Sequence, residues 1–167
     1  MFDLKPLSKD AIPQALEKAV RYRLLNDPWH AESICRDILK ADPDNQEALY
    51  TLVLVITDQF SGRHRSTINQ ALEVAAQLQD AYQQDYCKGL IYERQAAAAL
   101  KRGTPRAGYI AYEYLRRAME WYEMAEKKRP KENEEAILRW NSCARLITKR
   151  KLRPAPEEKG TQPFLDV

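Results

Sequence analysis

The residues able to do chemistry in this chain are few and scattered. There are two histidines, His30 and His64. His30 follows Trp29 in the first turn of an expected helix, and His64 stands between Arg63 and Arg65. An exposed or packed role explains both better than acid–base catalysis, which needs a second group to orient the imidazole. The cysteines, Cys35, Cys87 and Cys143, are odd in number and show no CxxC spacing. That argues against a disulfide framework or a zinc site and for a reducing compartment. No HExxH pair, phosphate-binding glycine loop or nucleophile elbow occurs, and the five glycines stand singly. The expectation is a non-enzymatic protein with no cofactor and no metal ion.

One concentration of charge stands out. Residues 127–153 hold ten basic and three acidic side chains, so they carry +7 where the whole chain is at +3, and the rest is at −4. Arg145, Lys149, Arg150, Lys151 and Arg153 crowd one end of this stretch. Helix C-termini favour cations through the macrodipole, and that is the simpler account. The functional account is a basic patch for phosphate or an acidic partner. No aromatic residue interleaves with these charges, so nucleic acid is the weaker partner class.

The elements that would position these groups are helices. Ala, Leu, Glu, Lys, Arg and Gln dominate, and all favour helix. Caps and breakers divide the chain into seven stretches: 11–25, 28–40, 46–60, 66–82, 83–101, 105–129 and 133–151. Asp27-Pro28 and Thr104-Pro105 each supply a cap followed by a proline where its missing N–H is harmless. Gly103 and Pro130 act as stops, and Asn133 caps the last helix. Short connections make sequence neighbours antiparallel. The domain expected is 1–152, with 153–167 a proline-containing extended or disordered tail. The apolar segment 163–167 is either a short motif that docks on a groove or a frayed end. The longest apolar stretch near the middle, 52–56, is too short to span a bilayer, and 1–10 lacks a signal-peptide pattern. A cytoplasmic protein without a membrane span is expected.

The hairpins repeat. Ala31, Cys35, Ile38 and Pro43 have the same spacing as Ala118, Tyr122, Ala125 and Pro130, and Ala71, Ala75 and Leu78 match them. Upstream lie small-then-bulky pairs, Ala19/Tyr22, Val53/Ile56 and Gly89/Tyr92. This pattern resembles the tetratricopeptide repeat (TPR), in which small residues let paired helices approach and bulky ones fill the space beside them. Tyr22 to Ala31 spans nine residues, as in the family, whereas the second and third intervals are 15 and 26. A longer loop would absorb the second surplus, and a third hairpin lengthened by about two turns per helix would absorb the third. The family's early tryptophan is replaced by Ala15, Leu49 and Asp85. The resemblance implies an all-α fold, with antiparallel hairpins stacked as a short right-handed solenoid and a C-terminal capping helix.

It also implies a function. In such an array the first helices of the hairpins line a concave groove. The groove would be built from Leu16, Val20 and Arg23, then Tyr50, Leu54 and Thr57, then Tyr86, Leu90 and Glu93. That stripe would hold an amphipathic helix or extended apolar peptide, so the chain reads as a protein-interaction adaptor. The alternative is that the stripe packs against neighbouring first helices as core. A structural subunit or self-assembling scaffold, hence a homo-oligomer, is the second function, and a nucleic-acid-associated protein using the basic last helix the third. Some TPR domains grip the carboxylate end of a chaperone peptide with Lys, Arg and Asn. Here those positions carry mostly Leu16, Val20, Tyr50, Tyr86 and Leu90, which argues against that ligand.

Overall fold

The structure, a computed structural model, describes residues 1–62 and 66–156. The basic loop Arg63-His64-Arg65 and the apolar segment 163–167 lie outside the described residues. The described chain forms seven α-helices: α1 (Ile12–Leu24), α2 (Pro28–Ala41), α3 (Gln46–Asp58), α4 (Ile68–Ala75), α5 (Ala81–Arg102), α6 (Ala107–Glu126) and α7 (Glu135–Arg150). No strand occurs among the described residues. No helix among them is long and apolar enough to cross a membrane.

Side chains set the ends of most helices. Asp27 Oδ1 accepts the His30 N–H at 3.3 Å, and Pro28 opens α2. Asn45 accepts the Ala48 N–H at 3.0 Å to start α3. Thr67 and Gln70 exchange hydrogen bonds at 3.2 and 2.9 Å, a reciprocal cap on α4. Gly103 closes α5 at φ +64 with open space where a Cβ would stand, so backbone handedness alone calls for glycine there.

Among the boundaries that differ from the sequence expectation, two have a visible cause. Instead of reaching residue 82, α4 stops at Ala75, and α5 begins at Ala81. The reason is Asp80, whose carboxylate takes the Gln83 N–H at 3.0 Å, while Gln46 Oε1 takes the Gln79 N–H at 2.8 Å. These contacts hold the connection in a turn. The start of α6 also falls later than Pro105, because 104–107 close a turn through Ala107 N–H to the Thr104 carbonyl at 2.9 Å.

Each helix packs on the next in sequence, and the first helices α1, α3 and α5 also touch in that order. The residues picked out by repeat spacing are core: Ala31, Cys35, Ile38, Ala71, Ala75, Leu78, Ala118, Tyr122 and Ala125 are all buried. Gly89 on α5 meets the Tyr122 ring of α6 so closely that a Cβ would lie 2.6 Å from Cε1. This is the small-against-large contact the spacing implied. Tyr22 departs from it: it is exposed, and its ring stacks on His30 with centroids 5.3 Å apart. The third hairpin is the long one, with helices of 22 and 20 residues against 13 and 14 in the first.

Candidate functional site

Helices α1 and α3 bring together an open apolar surface. On α1 the buried side is carried by Ile12 and Ala19, leaving Leu16 half-buried and Val20 45% exposed. On α3 nearly every turn is core, so Tyr50 and Leu54 are its half-buried apolar members. A cavity of about 400 Å³ lies between them, lined by Val20, Arg23, Tyr50 and Leu54 and edged by Gln46, Glu47, Thr51 and Gln83. A second cavity continues past Leu16 and Val20 toward Glu17, Glu47 and Arg21.

The expected third section of the groove is closed. Tyr86 and Leu90 are 5% and 1% exposed, so they are core rather than groove. Over Tyr86 the cover is α7, whose Ala136 and Cys143 share a buried cluster with Tyr86 and Tyr122. Polar contacts fasten it: Tyr86 Oη donates to Glu135 at 3.1 Å, Tyr82 Oη to Asn133 at 3.1 Å, and Arg139 Nη1 to Glu93 at 3.2 Å. Glu93 also accepts the Tyr122 hydroxyl at 2.5 Å. Burial, above all, pushes the Tyr86 and Tyr122 hydroxyls well above the usual phenol value, and Glu93 adds to this at Tyr122. Burial opposes the charge on Arg139, but Glu93 and Tyr86 outweigh it and hold the guanidinium protonated. Thr57 is the other correction: it is 3% exposed, with its hydroxyl turned back to the Leu54 carbonyl at 2.7 Å. The hydroxyl proton of Thr57 is thus spent inside its own helix.

The structure adds residues that the sequence reading passed over. Asp58, on α3, accepts Arg23 Nε at 2.7 Å and Arg94 Nη1 at 3.0 Å, joining three helices. Lys101 lies in the same cavity. Asp58 and Arg94 are 36 residues apart, the same offset that relates Tyr50 to Tyr86 and Leu54 to Leu90. Opposite charges at equivalent positions of successive hairpins were the available signal. Asp85, at the place of the missing tryptophan, is buried and paired with Lys128 at 2.6 Å and Lys88 at 3.7 Å. Lys88 also sits 4.2 Å over the Trp121 ring. The Lys128 ion pair ties α5 to the turn that follows α6, and removing one partner would strand the other charge.

The five basic residues of the C-terminal patch are all exposed. Arg150, Lys151 and Arg153 gather beside Gly108 and Tyr109 around a cavity of about 350 Å³, which Arg145 and Lys149 do not line. None of the five forms an ion pair among the described residues. The three cysteines are free and buried, and burial is the main cause that pushes each thiol up to about 12. Thiols so held are poor nucleophiles. Among the described residues, no group of three or more His, Cys, Asp or Glu side chains is placed to hold a metal ion.

The class these features define is an all-α helical protein with a half-open apolar face across two of its helices. No family model, no curated protein and no solved structure matches the chain.

Proposed function

We propose that this protein is a tetratricopeptide-like interaction adaptor, a binding protein rather than an enzyme, that holds a peptide or helix on the face shared by α1 and α3. The observation that carries the reading is the cavity between Val20, Tyr50 and Leu54, about 400 Å³ in volume. Its walls stand on packed helices, so little ordering is needed before a ligand binds. Burying one partner leucine there would contribute about 1.5–3 kcal/mol. The contacts of α1 with α3 and of α3 with α5 support side-by-side hairpins, as the right-handed solenoid reading requires. Three free buried cysteines fit a reducing compartment, and the reading places the protein in the cytoplasm.

The test is affinity capture with intact protein, with protein ending at Arg153, and with Leu54→Asp. Proteins retained by the first and lost with Leu54→Asp are groove ligands. An identical set from intact and Leu54→Asp protein would remove the groove from the account. A second reading, a self-assembling scaffold, draws on Leu24, Leu25 and Trp29, which are 75, 68 and 64% exposed around the α1–α2 turn. Light scattering after size-exclusion chromatography decides it, since a concentration-independent monomer excludes self-assembly. The nucleic-acid reading, resting on the exposed basic patch, fails if a generic duplex does not bind at low salt.

A further inference from the structure

We propose that the segment held in the α1–α3 groove is an acidic, apolar one, and that Arg23, Arg94 and Lys101 receive its side-chain carboxylates. The inference rests on the groove reading and names the chemistry of its ligand. Toward the C-terminal ends of α1 and α3 lies a cavity of about 470 Å³, lined by Arg23, Arg94, Lys101 and Asp58 with apolar and uncharged residues around them. Three cations face a single carboxylate. That carboxylate is at the centre: Asp58 takes Nε of Arg23 and Nη1 of Arg94, whose side chains are 22 and 33% exposed.

A guanidinium has five N–H donors. Asp58 accepts from Nε and Nη2 of Arg23, at 2.7 and 3.4 Å, and from Nη1 of Arg94 at 3.0 Å. The remaining donors of both side chains have no acceptor among the described residues, and Lys101 forms no ion pair there. Asp58 therefore orients two guanidinium groups and offsets one of three positive charges. The excess is unfavourable until a ligand brings negative charge, and the fixed planar forks suit a carboxylate.

Arg23 lines this cavity and also the apolar one with Val20, Tyr50 and Leu54. A single ligand can place an aliphatic side chain against Val20 and Leu54 and an acidic one about a turn away. The other end of the groove has the opposite sign: Glu17 and Glu47 face one guanidinium, Arg21, and Glu47 also borders the apolar cavity on that side. The groove is thus polarised along the helix axes, and its ligand turns its acidic side toward Arg94 and Lys101. A nucleic-acid strand is served less well, because Asp58 stands among the cations and no long row of them follows a backbone.

The experiment uses fluorescence anisotropy with three end-blocked, fluorescein-labelled peptides of one length. They alternate leucine with aspartate, with asparagine or with lysine. Blocked ends ensure that side-chain carboxylates alone are read. The expected order is aspartate, then asparagine, then lysine, with about tenfold between the extremes at low salt and less at high salt. Arg94→Gln with Lys101→Gln should abolish the preference for the aspartate peptide over the asparagine one. Arg94→Lys, which retains charge, should keep most of the preference. Equal binding of the aspartate and asparagine peptides by the native protein overturns the carboxylate assignment and leaves the groove standing. Failure of all three to bind overturns the groove itself, and the assignment with it. Displacement of the aspartate peptide by an equimolar single-stranded oligonucleotide would also overturn it, in favour of phosphate.

Discussion

Helices α3 and α5 carry related stripes 36 residues apart, Tyr50/Leu54/Thr57 and Tyr86/Leu90/Glu93. On α3 the tyrosine and leucine remain half-buried, while on α5 they are 5% and 1% exposed. The helices are not intrinsically different in this respect. What differs is the neighbour: on α5, Tyr86 shares a buried cluster with Ala136 and Cys143 of α7 and bonds Glu135, and Glu93 takes Arg139. Identical side chains become core where the chain itself supplies a covering helix, and a surface where it does not. The α7 contacts also show what kind of object such a stripe accepts, namely a helix with small residues, Ala136 and Cys143, turned inward.

Several substitutions break or sharpen this contrast. The largest effect belongs to Tyr86→Ala, which should cost about 3 kcal/mol or more, against about 1 kcal/mol for Tyr50→Ala, measured by urea unfolding. Equal losses would erase the distinction between covered and open stripes. Gly89→Ala forces a methyl against the Tyr122 ring and should cost about 1–3 kcal/mol, with the melting temperature lowered accordingly. An unchanged melting temperature would mean that α5 and α6 do not rely on this close approach.

Arg139→Ala releases α7 more gently, since the side chains of Arg139 and Glu93 are 34 and 16% exposed and solvent screens the pair. A loss of about 1–2 kcal/mol is expected. Hydrogen exchange should accelerate in α7 while α1 to α4 keep their protection. High pH probes the same closed half. Burial, with Glu93 adding to it, moves the Cys143 thiol from its ordinary 9.0 up to about 12. The folded state then holds its proton where the unfolded chain has lost it. The contribution is therefore intact below pH 9 and declines as pH rises from 9 toward 12. Cys143→Ala should flatten that decline in a series of unfolding curves across this range. The smallest stability effect belongs to the open half. Val20→Asp, at a 45% exposed position, should change stability by no more than about 0.5 kcal/mol yet abolish capture of the groove ligand.

Much of the fold was legible because helix signals are local. Asp27-Pro28, Asn45 and Gly103 mark boundaries through bonds spanning a few residues, and spacing placed nine core residues correctly. The break after α4 was legible only in Asp80, which caps α5 through the Gln83 N–H; the contact that holds Gln79 comes from Gln46, 33 residues away, and leaves no local mark. The candidate site was legible in part. Leu16, Val20, Arg23, Tyr50 and Leu54 line cavities beside α1 and α3, while Thr57, Tyr86 and Leu90 are interior.

By itself the sequence determined the helices, their pairing and the residues at their contacts. Each rests on periodicity, capping or size matching within a short span of chain. Only the tertiary structure decided which copy of the stripe is sealed, and that Asp58 gathers Arg23 and Arg94 from separate helices. Periodicity records that a side chain has a buried face but not which element covers it, and an ion pair between distant positions leaves no local trace in composition.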